Sequence, residues 1–466
     1  MKHRRQPFMG RIRRVHMVGI GGIGMSSIAE VLLARGYEVT GSDMKKSDVT
    51  QHLEDKGAVV YEGHAAGNVE GAHVVVYSSA VDPERNPETE EAHRRHLPLI
   101  NRSVMLAELM RMKFGVGIAG THGKTTTTSL TGLVVAAGGF DPTVVVGGKV
   151  AAFGSNAVTG EGDIIIVEAD EYDRTFLRLT PAIGAITTID LEHLDIYSDL
   201  DDIKDAFVQF ANSVPFFGAV AVCIDDANVV SILPRIERRV ISYGTSRQAE
   251  IRADHVRHDG LTTEFSVYAN ETLLGHVRLG IPGLHNVRNA LASIAVGMEL
   301  EIPFGRMASA IESFTGVQRR FEKLGEQGDV ITINDYAHHP TEVRATLSAA
   351  NQTWPDNRIV AVFQPHLYSR TRDLAEEFGR SFMDADVVFV CGIYPAREAP
   401  IEGVTGELVS DAARRSGHRD VRYVAHREDL AEQLRGATAA GDRVIFMGAG
   451  DIWRSAVEFA DAKPGA

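Results

Sequence analysis

The 466-residue chain has two cysteines, Cys223 and Cys391, too few for a disulfide framework or a cysteine-rich metal cluster. Each ends an apolar run, VAVC and DVVFVC, where a small buried hydrophobe is expected rather than a reactive thiol. No uninterrupted apolar stretch approaches the roughly 18 residues that span a bilayer, so no membrane insertion is expected. Basic residues are in deficit as well. Lys+Arg 48 against Asp+Glu 62 leave a formal charge of −14, a poor match to a nucleic-acid binder. Internal repeats and low-complexity segments are missing. With 44% hydrophobic and 24% charged residues, the composition is that of a folded globular chain too long for one core. The opening MKHRRQPFMGRIRR carries Arg4-Arg5, but the glycine-rich VHMVGIGGIGM behind it reads as a strand entering a turn rather than an export signal. A basic tail on a cytoplasmic protein, monomer or homodimer, is the expectation.

What is present is an alternation of short β-branched runs with helix-like segments. VHMVGI, AHVVVYSS, VGIAG, DIIIVEAD, AITTID, AVAVCI, RIVAVFQ, DVVFVCGIY and RVIFMGAG are continuously apolar, the pattern of strands buried on both faces of parallel sheets. Residues 249–278 instead alternate polar and apolar, with turn signals at Asp259-Gly260 and Asn270-Glu271, and predict antiparallel hairpins appended to the middle sheet. The fold class expected is α/β in three domains. A Rossmann-like N-terminal domain covers 1–113, a central P-loop-type domain with appended antiparallel strands 114–316, and a Rossmann-like C-terminal domain 317–466.

Gly19-Ile20-Gly21-Gly22-Ile23-Gly24 follows the first strand and precedes a helix. Such glycines permit a tight turn and let backbone amides approach a diphosphate at the helix N-terminus. Asp43, after the second strand, stands where an acid can accept from a ribose hydroxyl. A nicotinamide dinucleotide and a nucleotide-sugar diphosphate satisfy this turn equally well.

Gly120-Thr121-His122-Gly123-Lys124-Thr125-Thr126 is a shortened phosphate loop between the strand GVGIA and a helix, with Ile118 where the strict pattern has glycine. Its amides form a nest for phosphate oxygens, Lys124 supplies a cation at the β/γ end, and Thr125 offers a hydroxyl to Mg²⁺. Glu168 and Asp170 end the strand DIIIVEAD, where open α/β sheets place their ligands. Glu168 is expected on the metal, with Asp170, Glu171 or Asp173 behind it. AITTIDLEHLD brings Asp190, Glu192, His193 and Asp195 to the next strand end, and His193 is the candidate for a second cation. No serine or cysteine constellation suggests a covalent nucleophile.

GTHGKTTT, EADEYD, GLHNVRNALA, GVQRRFE, DYAHHP and FQPHLYSRTRD occur in that order along the whole chain. Together they resemble the Mur ligase family of ATP-dependent amide ligases that build the peptide of peptidoglycan. The resemblance implies a ligase that couples L-alanine to the carboxylate of UDP-N-acetylmuramate, using ATP and Mg²⁺, through an acyl phosphate. It assigns Lys124 to the β/γ-phosphates, Thr125 and Glu168 to one Mg²⁺, and His193 to the second ion. Asn286, Asn289, Arg320 and Asp335 would serve the nucleotide and active site. His338, His339, His366, Arg370 and Arg372 would line the amino-acid and acyl end. Gly19, Gly21, Gly22, Gly24, Asp43 and Ser78 would bind the UDP-sugar. Two departures stand out: TIDLEH puts Thr188 and Glu192 where many members carry asparagine and aspartate, and no lysine clearly fills the carbamylated role that some sister ligases use. The alternatives are a ligase that recycles a murein tripeptide and, in another class, a nicotinamide-dependent oxidoreductase.

Overall fold

The computed structural model describes residues 9–150, 155–193, 196–396 and 398–461. Arg4-Arg5, Asp195 and the Asp173 side chain lie outside the described residues, as does Arg397. The chain divides into two compact units. One comprises Met1–Asp254, Ser266–Val277 and Arg288–Phe314; the other comprises His255–Phe265, Arg278–Val287 and Thr315–Ala466. Among the described residues, no helix is long and apolar enough to cross a membrane.

Three sheets organise the chain. The first is five-stranded and parallel, in the order Val59–Glu62, Glu38–Asp43, Arg14–Val18, Val74–Tyr77, Leu99–Asn101. Strand order reverses at Arg14–Val18, and the glycine turn leaves the C-terminal end of that strand, where doubly wound sheets bind ligands. The second sheet has ten strands, and its parallel centre runs Val240–Gly244, Ala219–Cys223, Ile183–Ile186, Phe114–Ala119, Ile164–Glu168, Thr143–Val150. Ser155–Val158 closes one edge antiparallel to Thr143–Val150. The meander Ile251–Asp259, Thr262–Ala269, Thr272–Leu279 forms the other edge, its two-residue connections forcing antiparallel neighbours as the alternating pattern predicts. Every continuously apolar run forms a buried parallel strand. The third sheet has six strands: Glu322–Gln327 is antiparallel, followed by parallel Val330–Asp335, Arg443–Met447, Ile359–Phe363, Val387–Cys391 and Val421–Val424. Its order differs from the first sheet because the last strand inserts between Val330–Asp335 and Ile359–Phe363.

Close packing fixes the strand ends that carry chemistry. A Cβ at Gly117 or Gly184 would stand 3.3 or 3.4 Å from the ring of Phe210, so these glycines seat the helix Leu200–Ser213 tightly on the sheet below the phosphate loop. Cys223 and Cys391 are buried at strand ends, and burial pushes their thiols up to about 11 and about 12, which leaves both inert.

The first sheet also holds a buried acid. Glu88, fully buried on the helix Pro87–Arg94, accepts from Ser42 Oγ at 2.5 Å and Asn68 Nδ2 at 2.6 Å, with His16 Nε2 at 3.5 Å and His64 Nδ1 at 3.4 Å. Burial opposes the charge, but bonds from His16, Ser42 and Asn68 outweigh it and hold the carboxyl below its ordinary value. The ionised form therefore adds stability above the ordinary glutamate range and loses it as pH falls through the depressed value. Glu88→Gln should cost about 1–3 kcal/mol near neutral pH, with the gap to the native protein narrowing in acid. Chemical denaturation at several pH values checks this; identical midpoints at neutral pH would contradict it.

Candidate active site

The phosphate loop leaves the C-terminal end of Phe114–Ala119, which pairs with Ile183–Ile186 on one side and Ile164–Glu168 on the other. Gly120 (φ 137°) and Gly123 (φ 81°) occupy backbone conformations that L side chains rarely adopt, and a Cβ at Gly123 would lie 2.5 Å from Asn289 Oδ1. Asn289 Oδ1 also accepts from Thr127 Oγ1 at 3.1 Å, which ties the helix Leu284–Glu299 to the helix Lys124–Ala137. The neighbouring strand braces the loop. The Asp190 amide donates to Thr121 Oγ1 (2.9 Å), the His122 amide to Thr188 Oγ1 (3.0 Å), Thr187 Oγ1 to the His122 carbonyl (2.5 Å), and His122 Nε2 lies 3.2 Å from Asp190 Oδ2.

Lys124 folds back over this nest. Its Nζ donates to the Gly120 carbonyl at 2.8 Å and to Glu171 at 2.7 and 3.0 Å. Burial works against the charge, yet Glu171, Asp170 and Glu168 hold the lysine pKa above its ordinary value. Glu171 is buried, and the Tyr197 hydroxyl donates to its backbone carbonyl at 2.7 Å. One step away, Thr125 Oγ1 donates to Glu168 Oε1 at 3.0 Å and the Gly147 amide to Glu168 Oε2 at 2.7 Å. Desolvation raises the Glu168 pKa, with Lys124 opposing. His193 Nε2 stands 3.5 Å from Glu171 Oε1 and packs edge-on against Tyr172. Burial disfavours its charge, but the Glu171 bond and the Glu192 field raise its pKa above the histidine norm. At φ 56° it is one of the few non-glycine residues in the left-handed region, held there by Ile196 and Tyr197 amides on its carbonyl at 2.8 and 2.9 Å. Ligand atoms of Glu171, Glu192 and His193 lie within 4.8 Å of one another, a spacing that a cation could bridge.

At the glycine turn, the Gly19 and Ile20 amides bond the Ser42 carbonyl, and Ser78 flanks Gly19 closely. Asp43 braces the turn itself, accepting from the Gly21 amide at 2.8 Å and the Met44 amide at 2.8 Å. Gly22 is the N-cap and Gly24 lies inside the helix Ile23–Ala34. One open cleft is lined by Gly24, Arg102 and Ser103 and, on the central sheet, by Gly147, Glu168 and Asp170.

Other predicted residues belong to the second unit. Asn286 is buried, its Nδ2 donating to the Pro282 carbonyl at 2.7 Å, whereas Asn289 falls in the first unit. Asp335 accepts from the Ala337 and Phe321 amides, both at 2.7 Å, and burial raises its pKa. Arg320 lies over the Tyr336 ring and 3.5 Å from Glu342. His338 Nδ1 is 3.0 Å from the Tyr336 carbonyl and 3.1 Å from Glu342, and its ring meets that of His366 at 6.0 Å. His366 in turn stacks on Tyr394. His339 caps the helix Pro340–Thr353, accepting from the Thr341 amide at 3.4 Å. Arg370 lies on the short helix Tyr368–Asp373. Arg372, on the same helix, is exposed and turns to Asp373 at 2.7 Å.

Comparison with known proteins matches the catalytic-domain model of the Mur ligase family over residues 14–114, the Mur ligase middle domain over 118–297, and the Mur ligase glutamate ligase domain over 319–450. The chain belongs to the Mur ligase family. It is 61% identical to UDP-N-acetylmuramate–L-alanine ligase of Salinibacter ruber, over 98% of this chain and 96% of that protein. It is 52% identical to the protein of the same name from Geotalea uraniireducens, over 96% and 97%. The crystal structure of UDP-N-acetylmuramate-alanine ligase MurC from Thermotoga maritima superposes with TM-score 0.80 at 27% identity, covering 96% of this chain and 98% of that one.

For a Mur ligase, the motifs point to the loop, Glu168 and His193, and they offer Glu171 only as a group behind the metal, not as the partner of Lys124. Arg102 carries no motif at all and declares itself only through a neighbour distant in sequence. The crowding at Gly123 gives a test. Gly123→Ala should weaken ATP binding roughly tenfold or more through strain at positive φ and the clash with Asn289. Titration calorimetry checks it, and an unaltered ATP affinity would show that the loop tolerates the methyl.

Proposed function

We propose that this chain is an ADP-forming ligase that joins the amine of L-alanine to the lactyl carboxylate of UDP-N-acetylmuramate, a step in making the peptidoglycan precursor. One observation carries the reading: a single cleft is lined both by Gly24, in the first turn of the helix that follows the glycine turn, and by Glu168, which bonds Thr125 of the phosphate loop. A sugar nucleotide held by its diphosphate at one end would present its acid to a triphosphate held at the other. The relatives' shared name supports the choice of substrates.

The chemistry follows from a carboxylate's inertness toward amines. A carboxylate oxygen attacks the γ-phosphorus, the bond to the bridging oxygen breaks, and ADP departs, leaving an acyl phosphate. The alanine nitrogen then adds to the acyl carbon and gives up a proton, and the tetrahedral intermediate expels phosphate. The protein's task is to hold anions together and exclude water rather than to supply a nucleophile. Lys124 would exchange Glu171 for the β/γ-phosphates, and the loop amides would take the remaining oxygens. The oxygen donors of Thr125 and Glu168 suit Mg²⁺, and His193 with Glu171 and Glu192 would suit a second cation. Mg²⁺ bound there would offset the charge of the triphosphate. Asn286, Asn289, Arg320 and Asp335 would serve the nucleotide and the active site, as the family resemblance implies. His338, His339, His366 and Arg370 would receive the amino acid and acyl group, with Arg372 at their margin. We take the domain limits as 1–113, 114–316 and 317–466, and the enzyme as cytoplasmic, monomeric or homodimeric.

ADP release from purified protein should require both UDP-N-acetylmuramate and L-alanine. Lys124→Ala should abolish it while leaving UDP-sugar binding intact. Turnover with a murein tripeptide but not with alanine would move the chain to the recycling activity.

A further inference from the structure

Arg102 opens the helix Arg102–Arg111, which leaves the last strand of the first sheet through its N-cap Asn101. The side chain is half-buried and lies along the backbone of Gly24, so closely that a Cβ there would overlap Nη1 and approach Cδ to 3.2 Å. Both residues line the cleft that runs toward Glu168. Among the described residues, Arg102 has no ion pair and no side-chain hydrogen bond. Asp43, the acid of the turn, makes no ion pair with it and accepts from the Gly21 and Met44 amides. A half-buried guanidinium without a counter-charge beside it, lining a cleft in a chain of net charge −14, is placed to take an anion from outside.

Two anionic parts of the proposed acceptor could meet it, the diphosphate and the lactyl carboxylate. Position separates them. The guanidinium covers the first turn of the helix Ile23–Ala34, beside the amides that suit a diphosphate, whereas the carboxylate must reach the loop at Thr125 and Glu168. The planar fork of an arginine also matches phosphate oxygens pairwise. Resting on the function proposed above, we infer that Arg102 grips the diphosphate of the sugar nucleotide and so completes the binding site that the glycine turn begins.

Titration calorimetry of the full-length protein with UDP, uridine and ATP tests this for the native enzyme, Arg102→Ala and Arg102→Lys, alongside melting curves and turnover. Arg102→Ala should bind UDP roughly ten- to a hundredfold more weakly, with uridine and ATP affinities and melting temperature unchanged. Arg102→Lys should recover part of the loss, since a point charge replaces the fork. In turnover, KM for UDP-N-acetylmuramate should rise while kcat changes little. Native UDP affinity in Arg102→Ala would overturn the inference. So would weaker turnover with unaltered UDP binding, which would give the guanidinium to the carboxylate, or parallel loss of UDP and ATP binding with a lowered melting temperature. Failure of the native protein itself to bind UDP or release ADP would remove the functional reading as well, which separates the two failures.

Discussion

A buried ammonium needs a counter-charge, and the arrangement around the phosphate loop follows from that need. Lys124 is almost enclosed, and Glu171, itself buried, supplies the opposing charge at 2.7 Å. The pair keeps the lysine protonated and aimed across its own loop. It also sets a condition on binding: a triphosphate must bring enough negative charge to replace a carboxylate already in hydrogen-bond contact. Glu171 meanwhile neighbours His193, so the residue that holds the lysine also belongs to the cluster suited to a cation. Moving either charge alters the field at the other. Breaking such a pair by deleting one partner costs more than the pair contributes.

The remaining geometry in the first unit divides labour along one cleft. At one end, glycines and a braced carbonyl shape a turn that would suit a diphosphate, with a guanidinium laid along the first turn of the helix that follows. At the other, a strand end offers Glu168 to Thr125 and the Gly147 amide. Neither end needs covalent chemistry from the protein. With the substrates held as proposed, the fold would keep two anionic groups at opposite ends of the cleft, with cationic or amide groups at each end to offset their repulsion.

Much of this was legible in the sequence because parallel strands buried on both faces carry no polar interruptions. Runs such as DIIIVEAD and RVIFMGAG could be placed as strands, and the residues just beyond them as ligand positions. Glycine spacing revealed both turns, because only glycine tolerates those backbone angles and close approaches. The alternating pattern of residues 249–278 likewise announced its hairpins. What stayed hidden were contacts between residues far apart in the chain. Glu171 reads like its acidic neighbours until it is seen against Lys124, 47 residues away. That the Asp43 oxygens also accept from the Gly21 and Met44 amides is not written in its position after the second strand. Glu88 and Arg102 sit in unremarkable helix starts, and only three-dimensional proximity, to His16 and Ser42 for one and to Gly24 for the other, gives them meaning. Strand order in the third sheet was hidden for the same reason, since no local pattern says that the final strand inserts in the middle.

The central claim is that the phosphoryl group held at the loop passes to the acid of the sugar nucleotide before the amine arrives. Isotope labelling addresses it directly. With UDP-N-acetylmuramate carrying ¹⁸O in its carboxylate, ATP and L-alanine, mass analysis of the phosphate released should find one ¹⁸O atom delivered from acid to phosphate in each turnover. Product formed with unlabelled phosphate would mean that no acyl phosphate is made, and the route across the cleft would be wrong.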